Sequence, residues 1–200
     1  MIAIVDYGVG NLASVRKAFI AVGAQAELVD DPERLREARA VVLPGVGHFG
    51  HCAREFDRSG FAPALHLARE RGVPLLGICV GMQLFFAGSE EAADEPGLGL
   101  LPGMAARMRD VPRLPQIGWN EVRLQGTHPW LGGIADGDHM YFVHSYAAEP
   151  ASDVVLGTTE YGGERVAIVG DEGLLGVQFH PEKSGKPGLR LLDAFVKAVA

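Results

Sequence analysis

The sequence has few cysteines, no excess of basic residues and no long apolar run. Among its 200 residues only Cys52 and Cys79 are cysteines, which is too few for a disulfide framework. The formal net charge is −7 and no cluster of Lys and Arg is present, which argues against a nucleic-acid-binding role. No apolar run is long enough to span a bilayer, and no leader with a cleavage site opens the chain. These absences predict a cytosolic protein.

What the chain does contain is an ordinary globular composition. Hydrophobic residues make up 48% and charged residues 22% of the sequence. The length suits one domain, residues 1–200, that buries about 70% of the surface of its unfolded chain. The 12 prolines and 27 glycines predict many tight turns.

The first half of the chain alternates strands with helices. Short apolar runs predict strands at residues 1–5, 24–29, 40–43 and 73–78, with helical segments at 12–22 and between 48 and 72. This rhythm predicts an α/β fold, a doubly wound and mostly parallel sheet with helices on both faces. The later segments at 121–124, 140–143, 154–159 and 165–169 predict appended antiparallel β-hairpins, and 174–179 and 189–199 predict a last strand and a closing helix.

A glycine-flanked cysteine follows the strand at 73–78. Gly77-x-Cys79-x-Gly81 is the cysteine counterpart of the G-x-S-x-G nucleophile elbow, in which glycines let a strand turn sharply into a helix. A helix over 82–86 would place Cys79 at its N-terminus, where the dipole favours a thiolate. The alternative is an unreactive cysteine of the core. Cys52 lacks flanking glycines and is interpreted as core packing.

A second motif, His180-Pro181-Glu182, follows the strand at 174–179. On an extended backbone His180 and Glu182 point the same way, so the carboxylate can hold the imidazole tautomer and stabilise its cation. If His180 faces Cys79, the pair is suited to acyl transfer. Alone, the motif fits a strand end with a surface acid better than a catalytic pair. Together with the cysteine elbow it indicates a nucleophilic site.

Two glycine-rich loops also follow strands. The Pro44–Gly47 loop lies at the sheet edge where ligands bind in open α/β folds, so its N–H groups predict either an oxyanion hole facing Cys79 or an ordinary turn. Gly8-x-Gly10-x-x-Ala13, with Asp30 further on, matches a relaxed dinucleotide-binding pattern. Asp6 argues against that function because it places a negative charge where a pyrophosphate would lie. A dinucleotide-binding module therefore stays a weaker hypothesis.

Six motifs along the chain resemble those of the class I glutamine amidotransferases. They are DYGVGN at 6–11, LPGVG at 43–47, GICVGMQ at 77–83, GWN at 118–120, YFVHSY at 141–146 and QFHPEKS at 178–184. Val80 stands where the family has leucine, a difference that should affect packing and not chemistry. The resemblance implies a class I glutamine amidotransferase-like fold and a glutaminase reaction. Cys79 would attack the glutamine amide, His180 would protonate the departing ammonia and Glu182 would orient His180.

The resemblance also implies the remaining site residues, a partner and no cofactor. The oxyanion hole would come from Gly45, Val46 and Gly47, and the substrate would be bound by Gln83, Glu91, Ser145 and Tyr146. The implied partner is a (β/α)₈-barrel cyclase subunit that receives the ammonia in a heterodimer. Its docking face would include Asn11, Trp119, Asn120 and Lys183. No metal or organic cofactor is required.

Two rival functions keep the cysteine nucleophile. The chain could be the glutaminase partner of another synthase, such as a pyridoxal phosphate synthase, or a cysteine hydrolase or peptidase on a similar sheet. Measuring glutamate release with each candidate partner distinguishes the cyclase from another synthase as the partner. Covalent capture of a glutamine-analogue electrophile at Cys79 distinguishes a glutaminase from a cysteine hydrolase or peptidase, for which no capture is expected.

Overall fold

The structure, a computed structural model, describes residues 1–150 and 152–200 as one large sheet flanked by helices and two small sheets. The strands are β1 (Ile2–Val5), β2 (Ala26–Val29), β3 (Ala40–Gly45), β4 (Leu75–Cys79), β5 (Gly103–Arg107), β6 (Gln116–Glu121), β7 (Arg123–Leu124), β8 (His139–His144), β9 (Tyr146–Pro150), β10 (Val155–Glu160), β11 (Glu164–Asp171) and β12 (Leu174–Val177). The α-helices are α1 (Leu12–Ala21), α2 (Phe49–Arg58), α3 (Phe61–Glu70), α4 (Val80–Gln83) and α5 (Gly185–Ala198). Short 3₁₀ helices lie at Pro32–Glu37, Pro129–Leu131, Ser152–Val154 and Pro181–Lys183. No helix of the described residues has the length and apolar character needed to cross a membrane.

The large sheet has eight strands in the order β2-β1-β3-β4-β12-β11-β10-β7. The first five are parallel, and β11, β10 and β7 continue the sheet in antiparallel fashion. Every residue of β1, β3, β4 and β12 is buried, as expected for strands covered on both faces. The predicted doubly wound, mostly parallel sheet is thus confirmed. Only the pairs β5–β9 and β6–β8 form separate antiparallel sheets.

Several predicted elements have different bounds in the structure; the closing helix predicted over 189–199, for example, spans Gly185–Ala198. The helix predicted over 82–86 is a single turn at Val80–Gln83. It stops because the carbonyls of residues 84–86 accept hydrogen bonds from the backbone of residues 98–101 and so cannot continue the helix. The helical region after residue 48 is two helices that meet at Gly60, whose φ of 74° suits glycine. The segment at 121–124 is divided between β6 and β7.

The register of the central strands decides which loops meet. Gly45 at the end of β3 is paired with Cys79 at the end of β4, and Ile78 is paired with Val177 at the end of β12. The carboxyl ends of these three parallel strands therefore lie side by side at one edge of the sheet. In doubly wound folds this edge is where ligands bind.

Candidate active site

Cys79 is held in a strained conformation where β4 turns into α4. Its φ is 55° and its ψ is −113°, and it is one of two non-glycine residues with positive φ in the described part of the chain. Strain of this kind costs of order 1–3 kcal/mol and is common at functional sites. The neighbouring glycines are needed for packing as well as for the turn. A Cβ on Gly81 would overlap the carbonyl oxygen of Leu43, and one on Gly77 would lie 2.5 Å from the ring of Phe85.

His180 and Glu182 form a buried pair beside β12. Nδ1 of His180 lies 2.8 Å from Oε1 of Glu182, and both side chains are almost fully buried. The prediction that an extended backbone aligns them is wrong. The chain turns into a 3₁₀ helix at Pro181–Lys183, and this turn brings the carboxylate back to the imidazole. The amide of His180 donates to Tyr141 and its carbonyl accepts from Ser184, which fixes the backbone of this turn.

The surroundings of His180 favour the imidazolium. Burial disfavours the charge, but the neighbouring Cys79 and Glu182 outweigh burial and raise the pKa of His180 to about 10, from an ordinary value of 6.5. His180 therefore carries a positive charge at neutral pH, and it lines the same cavity as Cys79. Because α4 is only one turn long, the helix dipole predicted to act on Cys79 is weak. Nε2 of Gln178 also donates to Sγ of Cys79 at 3.7 Å.

A cavity of about 370 Å³ opens in front of Cys79. Among the residues predicted from the sequence, ten line it: Asn11, Val46, Gly47, Cys79, Gln83, Glu91, Ser145, Tyr146, His180 and Lys183. Gly45 does not line it, because its Cα packs against the elbow, where a Cβ would lie 2.7 Å from the amide nitrogen of Gly81. Glu182 lies behind His180.

Two predicted docking residues lie outside this cavity. Trp119 is 52% exposed, and its ring contacts Tyr141 edge-on with 6.0 Å between ring centroids. Asn120 uses its side-chain amide to donate to the carbonyl of Glu160 at 2.7 Å. Asn120 therefore supports the fold of this face and does not reach the cavity.

The predicted substrate-binding residues are fixed by hydrogen bonds within the protein. Nε2 of Gln83 donates to the carbonyl of Tyr146 and to Oε1 of Gln178, both at 3.0 Å. Oε2 of Glu91 accepts from the amide of Phe49 at 2.7 Å. Both side chains are thus held in one orientation at the cavity wall before any substrate arrives.

His144 is a site residue that was predicted only as part of the 141–146 motif. Burial lowers its pKa to about 4, against the raising effect of the hydrogen bond with Tyr146 and with a smaller lowering effect from the nearby His180, so the imidazole is neutral. Nδ1 lies 2.8 Å from the carbonyl of Tyr146, which can only accept, so Nδ1 carries the proton. Nε2 is then a lone-pair acceptor, and it is buried without a partner among the described residues. The alternation along β8, which buries Phe142 and His144, is the signal that could have found it.

Tyr7 and Cys52 were not predicted to contact the site at all. The hydroxyl of Tyr7 donates to the carbonyl of Pro44 at 2.9 Å, and the thiol of Cys52 donates to the carbonyl of Val46 at 3.3 Å. Both donors are buried. No sequence pattern pairs a residue after β1 with one in α2, because only the folded sheet brings them to the same loop.

Comparison with known proteins defines the class to which this fold and site belong. A family model described as glutamine amidotransferase class-I matches residues 3–199. A crystal structure of a glutamine amidotransferase has a TM-score of 0.77 at 21% identity, covering 98% of this chain and 99% of that one. The structure of PurLQS from Thermotoga maritima also has a TM-score of 0.77 at 21% identity, covering 100% and 98%. These two structures share the fold. The chain belongs to the class I glutamine amidotransferases.

Relatives of similar length narrow the assignment. Imidazole glycerol phosphate synthase subunit HisH of Moorella thermoacetica is 46% identical over 99% of this chain and 95% of its own length. The corresponding subunits of Symbiobacterium thermophilum and Thermococcus kodakarensis are 50% and 45% identical, over 96% and 98% of this chain and 91% and 98% of their own lengths. Within the class, this chain belongs with the HisH subunits. The resemblance drawn from the six motifs is confirmed, and so is the assignment as a glutamine amidotransferase.

Proposed function

We propose that this chain hydrolyses glutamine to glutamate and ammonia with the triad Cys79, His180 and Glu182, within one glutaminase domain over residues 1–200. The ammonia passes to a (β/α)₈-barrel cyclase subunit that forms imidazole glycerol phosphate and AICAR in histidine biosynthesis, in the cytoplasm. The observation that carries the proposal is the convergence of thiol, imidazole and carboxylate at the ends of β4 and β12. The HisH relatives favour this synthase over a pyridoxal phosphate synthase.

The triad supplies each proton transfer of the reaction. Sγ of Cys79 attacks the side-chain amide carbon, and the electron pair of the carbonyl moves onto its oxygen. When the carbonyl re-forms, the C–N bond breaks and His180 gives its proton to the leaving nitrogen, releasing ammonia and a thioester. His180 then takes a proton from water as that water attacks the thioester, giving glutamate and the free cysteine. Glu182 keeps the imidazole oriented and favours its cation throughout.

The oxyanion of each tetrahedral intermediate is stabilised by the Pro44–Gly47 loop. Val46 and Gly47 line the cavity beside Cys79, and the segment begins with the last two residues of β3, of which Gly45 is paired with the nucleophile. We assign the main donor to the Val46 N–H, carried by the Gly45–Val46 peptide. Gly47, with φ of 89°, gives the loop a conformation that disfavours other residues.

The cavity wall provides a group that matches the α-amino end of glutamine. The carboxylate of Glu91 suits the α-amino group, and the Ser145–Tyr146 segment, held by Gln83, lies along the substrate.

The cyclase docks on the face that carries the mouth of the cavity. Asn11 and Lys183 line the cavity, and Lys183 extends over the ring of Tyr141 at 5.9 Å. Ile117 and Trp119 project from β6 beside them and are 63% and 52% exposed. Exposed aromatic and aliphatic side chains next to a cavity mouth are typical of a protein interface. A partner seated here would shield the ammonia from solvent.

The proposal is tested by measuring glutamate release by the chain alone, with the barrel cyclase, and with the cyclase and its ribulosyl ligand. We expect low activity alone and a large increase in the complete complex. Cys79→Ala should abolish glutamine hydrolysis while the complex still cyclises its substrate with free ammonium. Wild-type glutaminase rates in Cys79→Ala would contradict the mechanism. Stimulation of glutamate release only by a pyridoxal phosphate synthase would contradict the assignment of the cyclase as the partner.

A further inference from the structure

Two buried side chains hold the loop that we assign to the oxyanion hole. The hydroxyl of Tyr7 donates to the Pro44 carbonyl at 2.9 Å, and the thiol of Cys52 donates to the Val46 carbonyl at 3.3 Å. These two carbonyls belong to the peptide groups immediately before and after the Gly45–Val46 peptide. The two bonds come from separate elements, the loop after β1 and helix α2, and they add to the pairing of Pro44 and Gly45 with β4.

We propose that Tyr7 and Cys52 are positioning residues that fix the two peptide groups flanking Gly45–Val46, so that rotation of the loop is confined to the one peptide carrying the oxyanion donor. The proposal rests on the assigned function of the loop. A single peptide group can rotate by compensating changes in the ψ of Gly45 and the φ of Val46, while its neighbours stay in place. Without the two bonds, the flanking peptides move as well, and the Val46 N–H is no longer held in the direction of the oxyanion.

The chemistry of both donors suits a permanent role. Burial raises the pKa of Cys52 to about 11 and the pKa of Tyr7 well above its usual value, so both keep their protons at neutral pH. Each carbonyl therefore meets a donor under all physiological conditions. There is also little room for the loop to shift as a whole. A Cβ on Gly45 would lie 3.0 Å from the hydroxyl oxygen of Tyr7.

The substitutions that test this remove one donor at a time. Tyr7→Phe deletes a single hydroxyl and keeps the ring that packs edge-on against Phe56 at 5.4 Å. Cys52→Ala removes the thiol, and Cys52→Ser restores a donor on the same Cβ. Tyr161→Phe is a matched control, because the hydroxyl of Tyr161 also donates to a backbone carbonyl at 2.9 Å but lies on the exposed turn after β10.

Two probes of Cys79 separate positioning from general damage. Iodoacetamide alkylates the sulfur by displacement and develops no oxyanion. An aldehyde analogue of glutamine, glutamate γ-semialdehyde, adds the sulfur to its carbonyl carbon and places the resulting oxygen in the oxyanion hole. Measured in the complex with the cyclase and its ligand, Tyr7→Phe and Cys52→Ala should each lower kcat and aldehyde affinity by about tenfold. In both variants the KM for glutamine and the alkylation rate should stay within about twofold of wild type. The control Tyr161→Phe should stay within about twofold of wild type in every measurement, and Cys52→Ser should recover much of the loss seen in Cys52→Ala.

Two results would overturn the positioning role of Tyr7 and Cys52. Unchanged kcat and aldehyde affinity in Tyr7→Phe and Cys52→Ala overturn the positioning role, while glutamine turnover by the wild type keeps the proposed function intact. Equal losses with both probes also overturn it, because they indicate a disrupted site. If Cys52→Ala does not fold, Tyr7→Phe decides alone. A wild-type complex that neither turns over glutamine nor binds the aldehyde rejects the function, and the positioning role with it.

Discussion

Replacement of Glu182 by glutamine tests the buried pair on which the reaction depends. Glu182→Gln keeps the size of the side chain but removes the negative charge 2.8 Å from Nδ1 of His180. A hydrogen bond to a charged group contributes about 1.5–3 kcal/mol, and each 1.36 kcal/mol in a barrier is a factor of ten in rate. We therefore expect kcat/KM for glutamine to fall by about 10- to 100-fold. The loss should be smaller than in His180→Ala, which removes the proton donor itself.

The assay is glutamate release in the complete complex across a range of pH. Because the pKa of His180 is about 10, the wild-type rate should decline only as pH rises through that value, where the imidazolium is lost. In Glu182→Gln this decline should begin at lower pH. The raised pKa also means that the pair stabilises the fold fully below about pH 6.5 and loses this contribution as pH rises through about 10. The difference in unfolding free energy between wild type and variant should shrink accordingly.

Glu172→Gln is the matched control, since it removes an exposed carboxylate from the turn between β11 and β12. It should leave rate and pH profile unchanged. If Glu182→Gln behaves like Glu172→Gln, within about twofold of wild type at every pH, the carboxylate does not tune His180 and the reasoning is refuted.

Two further predictions concern the elbow and the partner. Gly81→Ala should destabilise the protein by more than about 4 kcal/mol in urea unfolding, because its Cβ overlaps a β3 carbonyl, while Gly132→Ala, whose Cβ would have its nearest contact at 3.8 Å, should stay near neutral. Trp119→Ala should weaken cyclase binding, measured by calorimetry, by about 2 kcal/mol or more, whereas Leu67→Ala, a 41% exposed residue on α3, should not. Equal affinities of these two variants for the cyclase would show that Trp119 does not lie in the docking face.

The sequence by itself determined the parts of this protein that depend on local chemistry. The apolar runs predict β1, β3 and β4 because fully buried strands have no polar face. The glycines around Cys79 predict the elbow because other residues resist its backbone angles and its close packing. The six motifs indicate the family because each combines glycine, proline or a reactive side chain at a fixed spacing.

Only the tertiary structure decided how these parts work together. A helix over 82–86 is a reasonable local expectation. It ends early because the backbone N–H groups of residues 98–101 donate hydrogen bonds to the carbonyls of residues 84–86. His180 and Glu182 meet through a turn and not through an extended strand, and the imidazolium arises from two partners, one of them about 100 residues away in the chain. Tyr7 and Cys52 reach the loop at Pro44–Gly47 for the same reason. Local sequence encodes conformation within a few residues, whereas burial, pKa and hydrogen bonds between distant segments exist only once the sheet has brought those segments together.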